Sequence, residues 1–120
     1  MKIVFLIVLA IEVFLSHQSG ARSGAESRAL AKTLHVSERI LRTSAHVFLF
    51  MALSFLAIIA FPSLPLWFRI VVVGVWCVLD EWSKGWSLFP GRHFSWIDCA
   101  WNGLGWSLGI CIWLISTRIG

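Results

Sequence analysis

Three apolar runs constrain this chain more than any motif does. Ala45 to Phe61, Ile70 to Leu79 and Cys99 to Ile115 hold so few polar side chains that lipid is their natural solvent. Between the last two lies a polar stretch, from Asp80-Glu81-Trp82-Ser83-Lys84 through Phe89-Pro90-Gly91-Arg92-His93 to Asp98 and Asn102, with three of the six carboxylates. A charge at the edge of such a run costs roughly 2.5 to 3.5 kcal/mol even on the mild insertion scales. Something must compensate for these charges.

With 120 residues, 58% of them hydrophobic, and a mean hydropathy of +0.83, the chain has too little polar surface to cover a soluble globule. It reads as an integral membrane protein. A bilayer core asks for about 20 apolar residues per helical span, which leaves room for three or four spans and no second domain. The expected fold is all-α: a polytopic membrane bundle of about four transmembrane helices plus a basic amphipathic interfacial helix. The net charge of +4 could suggest nucleic acid, but the cations lie in loops and at segment ends, where anionic lipid head groups are the expected partner. Cys77, Cys99 and Cys111 fall within apolar runs with no Cys-x-x-Cys pair and no His at ligand spacing from them, so they read as small core residues. No metal or cofactor is expected.

Taken in order, Lys2 and the apolar residues 3 to 16 form a first span or a signal peptide. Glu12, unusual in a signal core, favours the span. Over residues 24 to 41, Arg28, Lys32, His35 and Arg39 recur at helical spacing opposite Leu30, Leu34 and Leu41, which predicts a basic helix lying in the interface. The second span, 45 to 61, opens with Arg42 and His46 on one face and closes at Pro62 and Pro65. The third, 66 to 81, has Trp67 as an interfacial anchor and delivers Asp80 and Glu81. Residues 82 to 96 alternate rings with cations; in a membrane chain this reads as an interfacial or re-entrant loop, not as a single-strand nucleic-acid platform. The fourth span, 95 to 116, carries Asp98, Asn102, Gly105 and Gly109 as one stripe, polar at its start and glycine-lined below.

Hairpin connectivity gathers His17, Gln18, Arg42, His46, Asp80, Glu81, Asp98 and Asn102 on one membrane face. Arginines, a titratable His and several carboxylates at one border suit a site that grips a phosphate or carboxylate head group. His46, Asp80, Glu81 and Asp98 are the candidate catalytic residues, with His46 as acid, base or nucleophile oriented by Asp80 or Asp98. Arg42, Arg92, Lys84 and Asn102 are the candidate ligand-binding residues. A purely structural charge network is the competing reading.

In order, Arg42-x-x-Ala45-His46, Asp80-Glu81, Pro90-Gly91-Arg92 and Asp98-x-x-x-Asn102-x-x-Gly105 resemble the VanZ-like membrane proteins. Ser16-His17-Gln18-Ser19, with Ser23 and Ser27, fits that family's serine-rich opening. The resemblance covers about residues 12 to 110. It implies a small polytopic protein of the bacterial cytoplasmic membrane, in a family named for a member that confers low-level teicoplanin resistance. Lys84, Thr43 and Phe50 depart from the family's usual glutamine, lysine and tyrosine. The function expected is action on, or binding of, an anionic envelope lipid or lipid-linked intermediate, with influence on glycopeptide resistance. The alternative is a non-catalytic accessory protein whose buried charges are structural. A homo-oligomer or a membrane protein partner is compatible with either. Lys2 places the polar face outside the cell, whereas the cations on that face favour the inside; the external placement suits the cell-wall connection.

Overall fold

The computed structural model describes residues 1–16, 20–84 and 95–119, and the side chains of all of these except 16, 20–23 and 84. The described residues are all-helical: α1 (Lys2–Ser16), α2 (Gly20–Leu34), α3 (Glu38–Ala60), α4 (Leu66–Lys84) and α5 (Trp96–Ile119).

Local chemistry sets the helix ends. Ser37 caps α3, its hydroxyl accepting from the Ile40 N–H at 3.1 Å, and Glu38 follows in the first turn, where a carboxylate suits the helix dipole. Pro62 stops α3, and the Pro65 carbonyl accepts from the N–H groups of Phe68 and Arg69 to start α4. Ser95 opens α5: its hydroxyl accepts from the Asp98 N–H at 3.2 Å, and its carbonyl from Cys99 at 3.0 Å.

The basic helix expected over 24 to 41 is two pieces. At the end of α2 the N–H of Val36 reaches the Ala31 carbonyl and that of His35 the Lys32 carbonyl, with His35 in the left-handed region at φ 56. This is a Schellman stop with a histidine where glycine is usual. Arg28 and Lys32 therefore belong to α2, while Arg39 and Arg42 belong to α3, since the Ser37 cap starts a new helix that runs unbroken into the apolar segment. The segments 3 to 16 and 66 to 81, expected as the first and third spans, are helical as α1 and α4 to within a few residues, but neither is among the described helices long and apolar enough to cross a membrane.

Contacts at the two ends set the helix directions. Lys2 stands over the Phe61 ring at 5.8 Å and Phe5 meets the same ring edge-on at 5.3 Å, so α1 begins where α3 finishes. Glu12 of α1 meets Trp76 in the second half of α4. α1 and α4 thus run one way, and α3 and α5 the other.

The core holds Phe50, Leu53 and Ala57 of α3 with Val73 and Cys77 of α4, and Phe5, Val8, Leu9, Trp76 and Trp106 pack around it. The α3–α5 contact is the most extensive. Gly105 and Gly109 are buried there, against the backbone at Val47 and Met51 and beside Ser54 and Phe55. The Ser54 hydroxyl, fully buried, donates to the Trp106 carbonyl at 3.0 Å across the same seam. This is the close approach that the glycine stripe predicts. Cys77 is buried as expected, but Cys111 is exposed, on the face of α5 turned away from its neighbours.

Among the described residues, two helices, α3 and α5, are long and apolar enough to cross a membrane. At 1.5 Å per residue they span about 34 and 36 Å, more than a hydrocarbon core of about 30 Å. Their apolar windows are only 33% and 17% buried. A soluble protein's core helix with such a composition would be mostly covered.

Candidate functional site

The helix directions bring the start of α3, the end of α4 and the start of α5 to one end of the bundle. His46 lies two turns into α3. Asn102, fully buried on α5, takes its Nδ1 in a hydrogen bond of 2.6 Å through Oδ1. The amide's other end donates from Nδ2 to the Cys77 carbonyl of α4 at 3.3 Å. Asn102 therefore ties three helices together and sets the imidazole ring plane. On the other side of the ring, Nε2 is 3.7 Å from an Asp98 carboxylate oxygen, with the two side chains 18% and 40% exposed. Ligand atoms of His46, Glu81 and Asp98 all lie within 4.8 Å of one another.

The carboxylate that faces His46 at ion-pair distance is thus Asp98, a choice that sequence spacing leaves open. Asp98 and Asn102 are one turn apart on α5, so one helix face holds both nitrogens of the ring. Asp80 and Glu81 are fully buried on α4, and the Asp80 carbonyl accepts from the Ser83 hydroxyl at 2.9 Å. Arg42 shares the His46 face, yet its nearest carboxylate among the described residues is Glu38, at 3.7 Å and one turn back. It is half-exposed, and this pair stays within α3 and does not reach Asp80, Glu81 or Asp98. Arg92, His93, His17, Gln18 and residues 85–94 of the aromatic loop expected over 82 to 96 lie outside the described residues, as does the side chain of Lys84.

Sequence reasoning left one carboxylate out of the site. Glu12 of α1 is fully buried, and the Trp76 indole donates to its Oε2 at 3.0 Å. Trp76 is one helical turn before Asp80, so Glu12 extends the acidic end of the bundle on to α1. The signal that could have found it is a lone carboxylate in an apolar run, which must meet a donor on a neighbouring helix.

Chemically, the ring can hand a proton to, or take one from, a group placed beside Nε2, with Nδ1 fixed by Asn102. Its outer side opens past Asp98. Among the described residues, the fold is all-helical, with two helices of membrane-crossing length and a His46–Asp98–Asn102 cluster where helices α3 and α5 begin. Compared with protein-family models, with characterised proteins and with solved structures, the chain has no match.

Proposed function

We propose that this chain is a four-span, VanZ-like integral membrane protein of the bacterial cytoplasmic membrane, and that its polar end binds or acts on the head group of an anionic, phosphorylated envelope lipid. The observation that carries the reading is the oriented imidazole: His46 held by Asn102 at Nδ1, with Nε2 directed at the partly open carboxylate of Asp98. A histidine restrained on one side by an amide and faced on the other by a carboxylate suits proton transfer or contact with a phosphate oxygen better than it suits packing. Among the described residues, Arg42, one turn away, is engaged in an exposed pair with Glu38. Such pairs are worth about 0.3 to 0.5 kcal/mol, so a phosphate could displace the glutamate. The VanZ-like part rests on the four motif pieces spread over residues 12 to 110, and it extends the proposal to an influence on glycopeptide resistance.

Native mass spectrometry of the protein in mild detergent tests this. The wild type should retain a selected phosphorylated lipid that Arg92→Ala loses and His46→Ala keeps or accumulates. Equal retention of bulk lipid by all three would reject the head-group site.

A second reading has its own observation: Glu12, Asp80, Glu81 and Asn102 are all fully buried. A network enclosed to that degree can serve helix association alone. An accessory protein of this kind should tolerate His46→Gln and fail when Gly105 or Gly109 is enlarged.

A further inference from the structure

The hydrogen bonds around His46 decide which of its nitrogens can take a ligand. Because the Asn102 amide donates through Nδ2 to the Cys77 carbonyl, it turns Oδ1 towards the ring. An amide oxygen only accepts, so the ring proton sits on Nδ1 and the neutral ring carries its lone pair on Nε2. That lone pair points at a second acceptor, Asp98 Oδ2, 3.7 Å away. A Glu81 oxygen completes a trio drawn from three helices. An imidazole whose far N–H is held by an amide oxygen, the amide being anchored in turn by its own N–H to a backbone carbonyl, matches the arrangement found behind metal-bound histidines, where it fixes tautomer and ring direction.

We propose that His46 Nε2, Asp98 and Glu81 form a site for a borderline divalent cation of zinc chemistry. Metal–ligand bonds of roughly 2.0 to 2.2 Å place the ligand atoms of a tetrahedral ion about 3.4 Å apart. The His46–Asp98 separation of 3.7 Å is close to that, and the widest spacing of 4.8 Å closes by carboxylate rotation. One imidazole with two carboxylates suits zinc, whereas calcium asks for six to eight oxygens. Buried Glu81 forms the floor of the site, and half-exposed Asp98 leaves the mouth open. A dication on two carboxylates is neutral overall and keeps open positions for water or a phosphate oxygen. Only this last role, bridging to a phosphorylated head group, rests on the function proposed above; cation binding does not.

The test uses full-length protein in mild detergent, stripped with a chelator and dialysed against zinc chloride. One zinc per chain should remain on the wild type, with magnesium unable to compete at equal concentration. Asp98→Asn and Glu81→Gln should each weaken zinc binding more than ten-fold, and Asn102→Ala ten- to a hundred-fold through loss of ring orientation. Cobalt substitution should give visible d–d bands without a thiolate charge-transfer band, and Cys99→Ser should leave it unchanged. Absence of bound zinc, equal competition by magnesium, unchanged affinity in both carboxylate variants, or a thiolate band lost in Cys99→Ser would each overturn the site. Circular dichroism checks the variants; where one fails to fold, wild-type stoichiometry and the cobalt spectrum decide alone. Lipid retention is then measured with and without chelator. Zinc bound with retention unaffected by chelation overturns the bridging role alone, while Arg92-dependent lipid retention without zinc binding overturns the cation site and leaves the head-group reading standing.

Discussion

Glu12 is an acid in the middle of an apolar helix, and its burial against Trp76 shows how one polar contact can hold two helices at a defined height. Glu12→Gln keeps an oxygen for the indole N–H, whereas Glu12→Leu strands that donor at a cost of about 1 to 3 kcal/mol. Thermal unfolding in detergent should therefore place the Leu variant clearly below the Gln variant; coincident melts would show that the bond carries no stability. Asn102 is held to a stricter demand, because it serves His46 and the Cys77 carbonyl at once. Asn102→Ala should lower stability by about 1 to 3 kcal/mol, and the same variant should lose lipid selectivity. At this scale the sequence singles out candidate residues and cannot rank them. His46, Asp98 and Asn102 stand out as polar groups at the start of apolar runs, but choosing Asp98 over Asp80 as the partner of His46 needs the rotation of α4 relative to α5.

Among the helices, the α3–α5 seam depends on glycine. A Cβ at Gly105 would overlap the Val47 carbonyl, and one at Gly109 would overlap the Ser54 hydroxyl and the Met51 carbonyl; the first and last of these are backbone, which cannot swing aside. Gly105→Ala and Gly109→Ala should each destabilise by about 1 to 3 kcal/mol through overpacking. Gly103 meets nothing within 4 Å, so Gly103→Ala should be neutral or stabilising by up to roughly 1 kcal/mol from helix propensity. Chemical unfolding of the three variants side by side checks the contrast, and a similar loss at Gly103 would contradict it. The seam was legible because Asp98, Asn102, Gly105 and Gly109 keep helical spacing on an apolar helix. The break between α2 and α3 was not, since the repeat of cations continues through it. What ends α2 is the left-handed turn at His35, a conformation for which histidine is a weak signal beside glycine. Ser37→Ala, which removes the α3 cap, should cost about 1 kcal/mol.

For the whole molecule, opposed helix directions place Lys2, the 61–65 turn and Arg118 at one end and the His46 cluster at the other. If all of α1, α3, α4 and α5 cross the bilayer, reporters fused before Lys2 and after Ile119 should lie on the same side of the membrane, and a tag in the 61–65 turn should join them. Reporters on opposite sides would reject four spans. Cys111, exposed on α5, should react in intact membranes with an apolar thiol reagent and resist a charged one, while buried Cys77 resists both until the protein unfolds.

Composition and apolar run length were enough to indicate an all-α chain and one stripe of α5 that must face a neighbour, while the reading of about four spans goes beyond the two helices, among the described residues, that are long and apolar enough to cross a membrane. These are properties of single segments, fixed by how many apolar residues follow one another and at what spacing. Tertiary structure decided what depends on the relative rotation and height of helices distant in sequence. It buried Glu12 under Trp76 and set Asn102 between Cys77 and His46 so that one ring nitrogen faces Asp98. Those contacts join residues up to 64 positions apart, and an offset of one residue in any helix rotates its side chains by about 100°, enough to take each of them out of reach.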